Sequence, residues 1–151
     1  MEVRHATFEE ELERSGRFLF TNVGRSMLPL LRENRDLMLI ERAPAGRRSR
    51  YETVLYRRGE RYVLHRIVKV LPEGYVICGD NCWRREYDIG DAQIIGVMTA
   101  FVRDGVETPV TSRGYRAYAR LWCALYPLRA VVLMGRSAAG WLWRKTRGMT
   151  S

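Results

Sequence analysis

Apolar positions along this chain change period twice, and each change predicts a different kind of element. In "ATFEEELERSG", Phe8 and Leu12 recur four apart among acidic residues, the spacing of one helix face, and Gly16 closes the run. Thr7 stands where an N-cap belongs, and Glu10 follows three residues later to complete a capping box. A short N-terminal helix is expected there. From Arg17 to Arg103 the runs shorten to "RFLFTNV", "DLMLIER", "TVLYRR", "RYVLHRIVKV", "GYVICGD" and "QIIGVMTAFVR". Short apolar or alternating runs of this kind predict strands. The separators "RAPAGRRSR", "RGE", "LPEG" and "NCWRREYDIGD" carry glycine, proline, asparagine and aspartate and predict turns. Strands at such close spacing, with no helices between them, predict a mainly β fold with a coiled or barrel-like sheet rather than a βαβ order.

After "RDGVETPVTSRG", expected to act as a hinge, residues 114 to 147 return to a helical texture of aromatic and aliphatic side chains with arginines among them. Pro127 is expected to end or kink that helix, Gly135 and Gly140 to weaken it, and Arg129 and Arg136 to share a face. The longest uncharged apolar run, Leu121 to Leu128, is far short of the roughly 20 residues a membrane span needs. Three parts are expected: a helix over 1–16, a β domain over 17–104, and a basic aromatic helical tail over 112–147.

Composition adds two constraints. At 151 residues and 46% hydrophobic, the chain fits one domain with a real core. Three cysteines are too few and too odd in number for a disulfide scaffold, which predicts a reduced, intracellular setting. The net charge of +9 is uneven. Residues 1 to 111 hold all 17 acids and 18 of the 26 bases, whereas residues 112 to 151 hold eight bases and no acid. The body is nearly neutral and the tail is basic.

Candidate chemistry begins at "TNVGRSMLPLLRENRD", where Ser26 sits between an arginine and a methionine ahead of a run of leucines. A serine becomes a nucleophile only when a base takes its proton and a donor holds the oxyanion; otherwise it is a turn residue. Two histidines are available. His5 lies in a charged N-terminal segment and reads as a solvated surface residue. His65 lies mid-strand, where Val63, His65, Ile67 and Lys69 alternate with their neighbours; a strand histidine alone is more often structural. Asp80 in "ICGDNC" is either a turn former or the acid that orients an imidazole. Arg66 and Lys69 read as a sheet surface and a rim charge. Cys78 and Cys82 with His65 fall short of a zinc ligand set, so no metal is expected, and no cofactor motif appears. "GRRSR", residues 46 to 50, reads as a solvated loop tip.

Taken in order, "GRSMLP", "LHRIVKV" and "YVICGDN" followed by "QIIGV" resemble the boxes of the signal peptidase I and LexA-type serine peptidase superfamily, over Phe18 to Phe101. The resemblance implies that fold, with Ser26 as nucleophile and its own amide as an oxyanion donor. Where bacterial-type members carry a lysine base, this chain has His65, as in the archaeal and endoplasmic-reticulum branch. There the aspartate of the "GDN" box supports catalysis, which carries over to Asp80. A second acid follows a few residues later; Glu86, Asp88 and Asp91 compete, and Asp88 is favoured. The "GDIV" turn usual ahead of the histidine strand reads "YETVLY" here, a departure at the periphery of the fold.

The expected function is a serine endopeptidase processing a peptide or partner protein. No apolar anchor precedes the serine box, which predicts a cytoplasmic enzyme, with peripheral contact to anionic membrane at the inner face through residues 112–147. The alternatives are a catalytically silent peptide-binding relative and a membrane-surface adaptor led by the tail. Nothing resembling a helix-turn-helix precedes the boxes, which argues against a self-cleaving repressor of the LexA kind, and a nucleic-acid role for the tail ranks behind the membrane one.

Overall fold

The computed structural model describes residues 7–147 of the chain. The first helix, α1 (Phe8–Ser15), begins at Thr7, whose side chain accepts from the Glu10 amide while Glu10 reaches back to the Thr7 amide. Gly16 ends it at φ 71°, a left-handed conformation that glycine adopts without a Cβ clash. The position of His5 lies outside the described residues.

Eight antiparallel strands follow and form one sheet, curled into a half-barrel. They are β1 (Arg17–Thr21), β2 (Leu37–Arg42), β3 (Thr53–Arg58), β4 (Arg61–Leu71), β5 (Gly74–Cys78), β6 (Glu86–Ile89), β7 (Ile94–Arg103) and β8 (Val106–Pro109). Their order is β1-β2-β7-β3-β4-β5-β6, with β8 paired to β7. The register shifts leave Thr99 and Ile95 as extra residues on β7, opposite β2 and β3, and Val68 as an extra residue on β4, opposite β5. Each bulge bends its strand and increases the local twist, which curls the sheet.

Both faces of the curl are filled. Met27, Leu31, Met38, Ile40, Leu55 and Met98 form a core under α1, and Val54, Tyr56, Ile67, Tyr75 and Ile77 form a second. β3 is shared between them, since Val54 and Tyr56 point one way and Leu55 the other. Full burial of each such side chain contributes about 1.5–3 kcal/mol.

Two short strands lie where turns were expected. The segment expected as a hinge instead forms β8, because Asp104 and Gly105 at φ 50° and 82° make a tight turn back onto β7. "EYDI" inside "NCWRREYDIGD" pairs with β5 as β6. The "GRRSR" tip is also pinned: Arg47 bonds the Leu71 and Gly74 carbonyls and Asp91, and the Arg48 amide donates to Tyr75 Oη at 2.8 Å.

The tail is two helices, α2 (Arg113–Ala124) and α3 (Tyr126–Arg147). Ser112 caps α2 through the Tyr115 amide, and the break falls at Leu125. Pro127 then occupies the first turn of α3, where its missing N–H costs nothing. Helix α2 seats Tyr115 and Ala119 in the first core, whereas most of α3 is exposed. No described helix is long and apolar enough to cross a membrane.

Candidate active site

Ser26 lies on the loop that joins β1 to β2. That loop is closed at its base by Asn22 and Asp36, both buried: the Asn22 amide donates to the Asp36 carbonyl at 2.9 Å, and the Asn34 amide to the Asn22 carbonyl at 2.7 Å. Asp36 in turn accepts from the Arg32 amide at 2.9 Å and from Arg103 at 2.7 Å. Burial opposes its ionisation, but the Arg103 and Arg32 hydrogen bonds prevail and hold its carboxyl at about 2. Within the loop Met27 and Leu31 are buried anchors, and Gly24 at φ 102° supplies the turn before the serine. Ser26 itself stays half-buried, its side chain facing a cavity. Its amide has no hydrogen-bond acceptor among the described residues, which leaves that N–H available to an oxyanion.

His65 is buried at the middle of β4. One β5–β6 loop brings it together with the serine. A Cβ on Gly79 would lie 2.7 Å from the Ser26 carbonyl oxygen, 2.8 Å from Cys82 Sγ and 2.9 Å from His65 Nε2. Only glycine therefore fits between the Ser26 main chain and the imidazole. The next residues grip the serine segment: the Asn81 amide donates to the Ser26 carbonyl at 2.8 Å, and Asn81 Nδ2 to the Arg25 carbonyl at 3.1 Å.

The other ring nitrogen faces oxygen. His65 Nδ1 lies 3.2 Å from Tyr56 Oη and 3.3 Å from Glu86 Oε1. Tyr56 Oη donates to Glu86 Oε1 at 2.7 Å, and Arg58 donates to the same oxygen at 2.8 Å. With its proton committed to Glu86, the Tyr56 oxygen offers a lone pair to Nδ1. Both neighbours of Nδ1 are thus acceptors, which fixes the proton on Nδ1 and leaves Nε2 with a free lone pair on the serine side. Burial lowers the His65 pKa from its ordinary value, and Glu86 acts in the opposite direction. The ring is neutral at pH 7.

The acids differ from the sequence expectation. Asp80 is buried, but its carboxylate does not bond the imidazole. It receives Arg66 Nε at 2.8 Å, Arg66 Nη2 at 2.7 Å and Tyr118 Oη at 2.9 Å. Arg66, expected on a sheet surface, is fully buried, because the same carboxylate, the Tyr51 carbonyl and Tyr115 Oη satisfy its guanidinium. Asp88 is exposed at φ 61° on β6, and the acid beside the imidazole is Glu86. Asp91 pairs with Arg47. Lys69 is exposed, as a rim charge would be.

Tyr56 and Asn81 were not singled out from the sequence, yet a signal existed for the tyrosine. The two-residue turn at Gly59 and Glu60 sets Arg58 opposite Arg61, hence Val54 opposite His65, and Tyr56 becomes a same-face diagonal neighbour of the imidazole.

Two hollows flank Ser26. One, of about 150 Å³, is lined by Phe8, Phe18, Phe20, Tyr62 and Leu64 together with Ser26. It adjoins open strand edges: β1 pairs only with β2, and β5 joins β4 only from Arg66 onward, so Arg61–His65 lacks a partner on that side. The second, of about 610 Å³, lies between Arg25, Leu28 and Pro29 on one side and α3 on the other. Among the described residues no cluster of three or more histidine, cysteine or acidic side chains suits a metal ion. Burial pushes the Cys78 thiol up to about 12 and raises that of Cys82. Comparison of the chain with protein-family models, curated proteins and solved structures finds no match.

Proposed function

We propose that this protein is a serine endopeptidase in which Ser26 is the nucleophile, His65 the general base, and Glu86 with Tyr56 the pair that orients the base. The observation that carries this reading is the convergence of His65 Nε2 and the Ser26 main chain on Gly79, with Nδ1 held from behind. In the reaction Nε2 takes the Ser26 hydroxyl proton as Oγ attacks the scissile carbonyl, and the Ser26 amide donates to the developing oxyanion. Glu86 stabilises the imidazolium, which then protonates the departing amine. Water, deprotonated by the same nitrogen, releases the acyl group and regenerates the serine.

A peptide is favoured over a small ester by the open edge of β4 beside the serine, on which an extended chain can add as a strand. The aromatic hollow suits an uncharged side chain next to the cut. A silent peptide binder would use the same cleft, and a fluorophosphonate probe separates the two. Label mapped by mass spectrometry to Ser26, absent in Ser26→Ala and strongly reduced in His65→Ala, is the expected result. A folded protein that takes no label, or takes it on Cys82, removes the hydrolase reading.

A further inference from the structure

We infer that α3 is an anionic-membrane docking helix that lies in the lipid interface and holds the Ser26 cleft against it. Helix α3 is held to the body at its start. Tyr126 Oη donates to the Trp83 carbonyl at 2.5 Å, Arg129 donates to the Asp80 carbonyl and stands over Trp122, and Ala130 is buried. No residue from Val131 to Lys145 is fully buried. Leu128, Val131 and Leu142 are nonetheless 67%, 64% and 59% exposed, a run of apolar surface that costs free energy in water.

The pattern is amphipathic. At 100° per residue, Leu128, Val131, Val132, Met134, Trp141 and Leu142 share a face about 180° wide, while Arg129, Arg136 and Arg144 share the opposite one. Lys145 falls within that face, between Met134 and Val131, with its amine 5.1 Å from the Trp141 ring, and its long stem can carry the charge up to the headgroup layer. From residue 112 onward the chain has eight bases and no acid, which selects an anionic lipid surface over a second copy of this equally basic helix. The apolar face meets the cleft at one margin, since Leu128 and Val132, together with Arg129 and Arg136 of the opposite face, wall the hollow whose other side is Arg25, Leu28 and Pro29 beside Ser26.

The inference does not depend on catalysis. Co-sedimentation of the full chain with phosphatidylcholine vesicles, alone or mixed with phosphatidylglycerol, tests it. Binding is expected only with the anionic lipid, weakening as salt rises. The double variant Val131→Glu, Leu142→Glu should lose binding while keeping the melting profile and probe labelling of the native chain. The variant Arg136→Gln should bind about fivefold more weakly. Ser26→Ala should bind like the native chain, so loss of labelling and loss of vesicle binding are separate outcomes. Equal binding to neutral vesicles, no binding to either, or unchanged binding in the double variant overturns the proposal. So does concentration-dependent dimerisation that the double variant abolishes, because α3 would then be occupied by its own kind.

Discussion

Two carboxylates approach β4 from opposite ends of one loop: Asp80 just after β5 ends, and Glu86 where β6 begins. They meet neighbouring residues of the same strand. Successive side chains of a strand point to opposite faces, so His65 turns toward Tyr56 and Glu86, while Arg66 turns toward α2, Tyr115 and Asp80. One residue of parity separates an acid that faces a titrating base from an acid neutralised by a permanent cation. Asp80 is therefore a clamp. Its side chain holds Arg66 and Tyr118, its carbonyl receives Trp122 and Arg129, and the next residue, Asn81, bonds the serine segment. Glu86 is the acid available to the chemistry.

The sharpest way to break this contrast is to remove each acid. Glu86→Gln keeps shape but removes the charge that supports the imidazolium, and kcat/KM is expected to fall roughly 10²- to 10⁴-fold with little change in melting temperature. Asp80→Ala should act the other way, costing about 3–5 kcal/mol of stability because Arg66 is left charged and unpaired in the core. Replacing both partners, Arg66→Met with Asp80→Leu, should recover most of that loss. Steady-state kinetics and urea unfolding of the variants check the set. If Asp80→Ala melts normally and loses more rate than Glu86→Gln, the two assignments are reversed.

A second prediction uses pH. His65 works as a base only when unprotonated, so kcat/KM rises as pH climbs through its pKa and is lost as pH falls through it. Burial lowers that pKa, so the ascending limb is expected below the ordinary imidazole value of about 6.5. Glu86 acts to raise the pKa, and Glu86→Gln should move the limb to still lower pH even as the plateau drops. Stability follows the same sign. The unfolded imidazole takes up a proton before the buried one does, so this residue contributes a loss of stability as pH falls below about 6.5. A limb above that value in the native protein would show the carboxylate outweighing burial.

The strands and the capped first helix were legible because each depends on local pattern: period two and a capping box. Less was legible where the decisive contact is made at long range. β6 is four residues long in a polar stretch, and only its pairing with β5 makes it a strand. Arg66 carries the outward signature of a surface residue, yet a carboxylate 14 positions away and a helix 49 positions away bury it. The choice among Glu86, Asp88 and Asp91 depended on which side β6 presents to β4, and no local pattern encodes that. The tail shows the same division. Its helicity was readable, but α2 packing on the body while α3 stays exposed follows from where Tyr115 and Ala119 meet the core.

The smallest expected effect belongs to Tyr56. Its hydroxyl is buried, and burial together with Glu86 raises its pKa above the ordinary tyrosine range, so it stays protonated wherever the protein is folded. Tyr56→Phe removes one acceptor from Nδ1 and one donor from Glu86, but Arg58 still holds that carboxylate and Glu86 Oε1 remains 3.3 Å from Nδ1. The rate should fall less than tenfold and stability by about 1 kcal/mol. Nitrogen NMR of the His65 ring should report the proton on Nδ1 in the native chain and a mixture of tautomers in Tyr56→Phe, since the two oxygens together fix that proton. An unchanged tautomer would assign the orienting role to Glu86 alone, whereas a proton on Nε2 in the native chain would leave Ser26 facing a donor and no base.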